Sequence, residues 1–145
     1  MRAFDISPVG VEKARRLAAQ RGVSVSYDVA SVYDWPWPQS AFDVIAAVFV
    51  QFADPAMRDF LFQHIVRALA PGGLLLLIGY TPKQRQYDTG GPKRVENLYT
   101  EPMLRQAFAA LEIVQLREYD AELAEGSQHR GPSALIDLVA RKPSG

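Results

Sequence analysis

Asp5 is the first residue whose position suggests chemistry. It closes the short stretch Arg2-Ala3-Phe4, which reads as a strand. Ser7-Pro8 follows at once with the marks of a helix start, serine as N-cap and proline in the first turn. A carboxylate at such a strand tip is where nucleotide-binding α/β units accept hydrogen bonds from ribose hydroxyls, with a glycine-rich phosphate loop about 20 residues earlier. The sequence offers no such loop ahead of Asp5; only Gly10 stands before Gly22, and it falls inside the expected helix. Taken alone, Asp5 is equally read as a solvated aspartate flanking a helix. A short loop with Ser31, Val32 and Asp34 follows the stretch ending at Val29, and Ser31 and Val32 are placed for a ligand, since ligands of open α/β sheets bind at the carboxyl ends of strands. Trp35 and Trp37 beside it read as cover for a sheet edge. His64, in mid-helix, reads as a surface or packing residue.

The elements that would position these residues follow from periodicity. Val11, Ala14, Leu17 and Ala18 share one face of a helix from Ser7, and Gly22 stands where a C-terminal cap belongs. Val23 to Val29 alternates as a strand does. Phe42 to Val50 is a continuous apolar run, as expected of a strand buried on both faces of a parallel sheet. Asp54-Pro55 caps a second helix with Met57, Phe60, Leu61, Ile65 and Leu69 at helical spacing. Pro71-Gly72-Gly73 ends it and turns the chain into a strand from Leu74 to Gly79. Tyr80 to Tyr99 shows no period, and a connection of that length is usually a functional lid or a disordered segment. Thr100 caps a third helix with Met103, Leu104, Ala107 and Phe108 inward. Strands near Glu112 to Tyr119 and Ser133 to Arg141 are joined by a polar turn, Ala124 to Pro132, and form an antiparallel hairpin. Alternating helices and strands predict an α/β fold, and 145 residues suffice for one domain with a real core.

Composition excludes several functions. Sixteen basic side chains balance sixteen acidic ones, so no electrostatic footprint for nucleic acid or an anionic membrane is present. There is no cysteine, which removes disulfides, thiolate metal sites and a cysteine nucleophile, and fits a reducing compartment. The longest apolar run, Leu74 to Ile78, is too short for a bilayer, and no signal-peptide pattern appears. The expectation is a soluble cytoplasmic domain with no metal site.

Three stretches in order, "FDIS", "DWPWPQSAFDVI" and "LAPGGLLLLIGY", with helices between them and a hairpin after, resemble the class I S-adenosylmethionine-dependent methyltransferases. The strap "PKQRQYDTGGPKRVENLYT" and the hairpin "EGSQHRGPSALIDLVARK" look like the tellurite-resistance and thiopurine-methyltransferase-like branch, with Tyr87-Asp88-Thr89-Gly90-Gly91-Pro92-Lys93 the most specific part. The resemblance runs from residue 1 nearly to 142. It implies a Rossmann-like sheet, mostly parallel with a C-terminal antiparallel hairpin, and S-adenosylmethionine as cofactor. Asp5 would accept from both ribose hydroxyls and Ile6 would pack beside the adenine, bordered by Ser31 and Val32. Val48, Phe49 and Gln51 would border the methionine part and the transferring methyl. Tyr87, Gly90, Gly91 and Lys93, with His129 and Arg130 on the hairpin turn, would close over a small-molecule acceptor such as a thiol or a chalcogen oxyanion. His129 would either donate to an anionic acceptor or cap the turn. Lys83, Arg85, Lys93 and Arg94 would either attract an anion or be merely solvated. Methyl transfer from a sulfonium to a soft nucleophile asks for in-line alignment and shielding from water, not a strong base, so no catalytic residue is expected.

Against that family the sequence departs at its start, where the first strand, glycine loop and first helix have no counterpart. The expectation is therefore an N-terminally truncated, incomplete domain over residues 1–145 that binds the cofactor poorly by itself. In the family the first strand lies between the second and the fourth, so its lack would leave two strand edges bare, and bare edges invite another chain. A homo-oligomer through those edges follows as an expected partner. The alternative is a non-catalytic domain of this fold acting in protein association. A nicotinamide-dependent enzyme would also use Asp5, but the terminal hairpin and the lack of a Ser/Tyr/Lys proton relay count against it.

Overall fold

A computed structural model describes residues 1–87, 89–125 and 129–144. They form two compact units, 1–37 and 38–145.

The first unit holds β1 (Arg2–Asp5), α1 (Pro8–Gln20) and β2 (Ser26–Val29). Its helix starts as its residues dictate. Ser7 Oγ accepts from the Gly10 N–H at 3.0 Å, and Pro8 fills the first position, where no N–H is needed. At the other end Val23 N–H reaches Ala18 O and Gly22, at φ +65°, bonds Ala19 O, a Schellman closure. This use of Val23 explains why β2 begins at Ser26 and not at Val23. β1 and β2 pair in parallel, Arg2 opposite Ser26 to Asp5 opposite Val29. Phe4 stacks on Trp35 at 4.7 Å between ring centres, and Trp37 meets both rings edge-on. The tryptophans are packing residues, as expected. Asp28 ties this cluster, accepting from Trp35 Nε1 at 2.9 Å and from Arg2 at 3.2 Å, and these bonds hold its carboxyl below the usual range. Of the helix face, Val11 and Ala18 are buried and Leu17 is exposed.

The second unit is a mixed sheet of order β3-β4-β6-β5 with two helices: β3 (Phe42–Val48), α2 (Pro55–Ala68), β4 (Leu69–Tyr80), α3 (Glu101–Ala107), β5 (Glu112–Glu125) and β6 (His129–Arg141). β3 and β4 are parallel; β6 is antiparallel to both β4 and β5. One face is buried, through Leu75 and Leu77 of β4 and Ile136, Leu138 and Ala140 of β6. α2 and α3 meet through Phe62 and Phe108 at 4.6 Å and contact β4 and β5 respectively. The fold class is the expected one.

Several boundaries differ from those the sequence predicts. β4 starts at Leu69, because Phe42 already pairs with it. Pro71-Gly72-Gly73 is thus a bulge within the strand, where one β3 residue, Asp43, faces four on β4. β3 is an edge strand, paired only with β4 among the described residues, and Val44 and Val48 on it are 53% and 58% exposed; it is not buried on both faces. Thr100 occupies the N-cap position of α3 but makes no side-chain cap bond, and Ala107 is exposed. The hairpin strands run on to a Glu125–His129 pair, so His129 and Arg130 stand on β6 and not on a turn. The strap between β4 and α3 carries two short 3-10 turns, Pro82–Gln86 and Val95–Asn97.

Candidate functional site

In the first unit the expected residues gather at the carboxyl ends of β1 and β2. Asp5 is exposed; its Oδ1 accepts from Ser7 N–H at 2.7 Å, while Oδ2 takes no hydrogen bond among the described residues. The turn into the helix thus aims the carboxylate and leaves one oxygen unspent. Ile6 beside it is 71% exposed. Ser31 is occupied locally: its hydroxyl donates to Asp34 Oδ2 at 2.5 Å and accepts from Asp34 N–H. Val32 is buried and its carbonyl accepts from Trp37 Nε1 at 2.8 Å.

In the second unit the ends of β3 and β4 are knotted together. Phe49, directly after β3, has a φ of +51°, a left-handed backbone that a residue with a Cβ rarely adopts. Its N–H bonds Ile78 O at 3.0 Å and its ring stacks on Tyr80 at 4.8 Å, which hold it there. Gln51 is buried, and its carboxamide is committed to backbone. It donates to Tyr80 O at 2.8 Å and Asn97 O at 2.9 Å, and accepts from Tyr80 N–H at 2.6 Å. Asn97 returns a bond to Gln51 O at 3.0 Å. Gly79 lies so close that a Cβ there would sit 2.6 Å from the Tyr99 ring and 2.9 Å from Gln51 Oε1. Two buried polar atoms in this knot, Asn97 Oδ1 and Tyr99 Oη, have no hydrogen-bond partner among the described residues. Burial pushes the Tyr99 phenol well above the usual tyrosine range, so it stays a neutral hydroxyl.

On the strap, Lys83 is bonded to Asp120 of β5 and also lies over the Tyr87 ring, 5.6 Å from its centre. The pair raises the lysine and lowers the carboxyl. Lys83 is therefore paired, whereas Arg85, Lys93 and Arg94 are exposed. Gly90 and Gly91 both have positive φ, +123° and +87°. A cleft of about 200 Å³ between strap and hairpin is lined by Thr81, Lys83, Tyr119, Asp120 and Leu135. Arg130 is exposed at the start of β6. Asp88 and residues 126–128 lie outside the described residues, as does the side chain of His129. His64 stacks on Phe60 at 3.9 Å and bonds its carbonyl, a packing role. No cluster of metal-ligating side chains occurs among the described residues. Nor is any of their helices long and apolar enough to cross a membrane.

Parallel strands alternating with helices, an acidic residue ending β1 in the first unit and a residue of positive φ directly after β3 in the second, define an α/β protein. The chain belongs to the methyltransferase-domain family, whose profile matches residues 1–73. It is 34% identical over 106 residues to a carboxy-S-adenosyl-L-methionine synthase of Pseudoalteromonas atlantica, covering 70% of this chain and 42% of that protein. Its fold is similar to an S-adenosylmethionine-dependent methyltransferase of Methanosarcina mazei (TM-score 0.77, 17% identity, 99% of this chain and 82% of the other). It is also similar to TehB of Haemophilus influenzae (TM-score 0.72, 14% identity, 97% and 49%). The chain thus spans less than half of the synthase it matches.

Proposed function

We propose that the protein transfers a methyl group from S-adenosylmethionine to a small, soft acceptor such as a thiol or a chalcogen oxyanion. Family membership supports the reading. The observation in this chain that carries it is Phe49, held in a strained backbone at the carboxyl end of β3, where strain without a ligand would be a cost with no return. S-adenosylmethionine, when bound, supplies an electrophilic methyl on a sulfonium. Asp5 accepts from its ribose hydroxyls through Oδ2, with Ile6 against the adenine and Ser31 and Val32 at the ring's border. Val48 and Phe49 border the methionine part. Gln51, committed to backbone, contributes by holding Tyr80, the ring on which Phe49 stacks. Tyr87, Gly90, Gly91, Lys93, His129 and Arg130 form the acceptor side. The strap run Tyr87 to Lys93 supports the tellurite-resistance and thiopurine-methyltransferase-like branch. A soft acceptor needs alignment and exclusion of water, which accords with the lack of an assigned base.

Among the described residues no glycine-rich loop joins a strand to a helix, so the cofactor affinity of these residues by themselves is expected to be weak, in the millimolar range. Titration with S-adenosylmethionine, followed by amide NMR, should shift Asp5 to Ser7, Ser31, Val32 and Phe49 without saturating below about 1 mM. Labelled methyl should pass to 4-nitrobenzenethiol or tellurite at millimolar donor. Shifts confined to other residues would refute the assigned site, and saturation in the low micromolar range would refute the expected weakness.

A second reading, association between copies, is favoured by the β3 edge, which has no ladder partner on its outer side among the described residues. A stable dimer in light scattering that binds no donor at any concentration would favour it over methyl transfer.

A further inference from the structure

Gln84 is a glutamine in an exposed strap, yet it is only 2% exposed and both its polar atoms are hydrogen-bonded. Its Oε1 accepts from Ala134 N–H of β6 at 2.8 Å. Its Nε2 donates to Thr89 Oγ1 at 3.0 Å and to Gly90 O at 3.2 Å. Thr89 in turn donates to Pro132 O at 2.5 Å. One carboxamide therefore ties the strap turn to the last strand from two directions. Gly91 completes the fit: with φ +87°, a Cβ there would stand 3.1 Å from Gln84 Cγ and 3.2 Å from the Tyr80 ring. Tyr80 is the ring that Phe49 stacks on, so the latched turn rests against the same aromatic pair that closes the β3 tip.

We propose that Gln84 is a positioning residue of the acceptor side: with Thr89 it latches the Thr89–Gly91 turn onto β6 before any ligand arrives. The proposal rests on the reading above for what the turn borders. A buried carboxamide that joins two separate segments through three hydrogen bonds is expensive to leave unpaired, so an open strap would expose or orphan those bonds at once. The wall facing the acceptor is thus present in the unliganded protein and is not assembled by binding.

Three variants separate the bonds. Gln84→Glu keeps an oxygen for Ala134 N–H but, as a carboxylate, donates nothing to Thr89 or Gly90. Thr89→Val removes both the bond to Pro132 and the one Thr89 accepts from Gln84 Nε2, and leaves Ala134 untouched. Gln84→Met removes every bond. Tryptic cleavage after Arg85, Lys93 or Arg94 should quicken about tenfold in Gln84→Glu and Thr89→Val. Exchange of the Ala134 amide should rise only in Gln84→Met. With 4-nitrobenzenethiol as the probe acceptor, its KM should rise about fivefold in Gln84→Glu and Thr89→Val, with kcat and the donor KM within about twofold of wild type. Cleavage at the wild-type rate in both would overturn the latch. A loosened strap with an unmoved acceptor KM would overturn the positioning role. If the wild-type protein methylates no probe, the methyl-transfer reading fails, and the cleavage measurements alone decide whether the latch exists.

Discussion

Phe49 and Tyr99 show how single side chains hold the end of the sheet. The left-handed backbone at Phe49 penalises any Cβ, so Phe49→Gly should be more stable than Phe49→Ala by about 1 kcal/mol, the reverse of the usual glycine penalty. Paired urea melts of the two variants decide it, and the opposite order would show that the strain is not there. Tyr99 is wholly buried, and its hydroxyl has no hydrogen-bond partner among the described residues. Tyr99→Phe should leave stability unchanged or raise it by up to about 1 kcal/mol, because the desolvated hydroxyl returns nothing. A loss of more than about 1 kcal/mol would mean that the hydroxyl has a partner in solution. Caps such as Ser7 and Asp54 were legible from sequence because their partners lie three residues away. The role of Gln51 was not, since its partners lie 29 and 46 residues away, nor was that of Gln84, since the bond that fixes it to β6 spans 50 residues.

At the scale of elements, α2 and the last strand are joined by Lys142. Its Nζ donates to Val66 O at 2.9 Å and Leu69 O at 2.6 Å, while Ser40 and Ala41 N–H groups take the carbonyls of Arg67 and Ala68. The carbonyls that the helix leaves unpaired at its end are thereby satisfied, with a cation at the negative end of the helix dipole. Lys142→Met keeps the stem and loses the donors. It should cost about 1–2 kcal/mol, read as a drop of roughly 5 °C in Tm. Lys142→Arg should recover part of it. Periodicity found α1, α2, α3 and the parallel strands. It misjudged the hairpin's length, because Ala124 to Pro132 is polar and the ladder is held by backbone pairing that polarity does not reveal.

For the whole molecule, the outer edges of β1 and β3 carry no ladder among the described residues. Beside β3's edge, the sheet face opposite the helices holds a depression of about 250 Å³ under Ala46, Val48, Leu76, Ile78 and Val139. Apolar edges of this kind promote self-association unless a charge interrupts them. Val44, exposed on β3, is the place to insert one: Val44→Lys should raise the monomer fraction in light scattering at high protein concentration. An unchanged mass distribution would rule the edge out as the route of association.

What the sequence alone determined is everything governed by neighbours along the chain: two capped helices, the alternation of helix and strand, the acidic tip of β1, and through its motifs the methyltransferase family. What only the tertiary structure decided is which polar side chains are already engaged. Lys83, a candidate for binding anions, belongs to Asp120, and Gln51, a candidate for the ligand, belongs to the backbone of Tyr80 and Asn97. The physical reason is the same in both cases. A buried or paired polar group is fixed by partners that folding brings from distant segments, and local pattern carries no record of them.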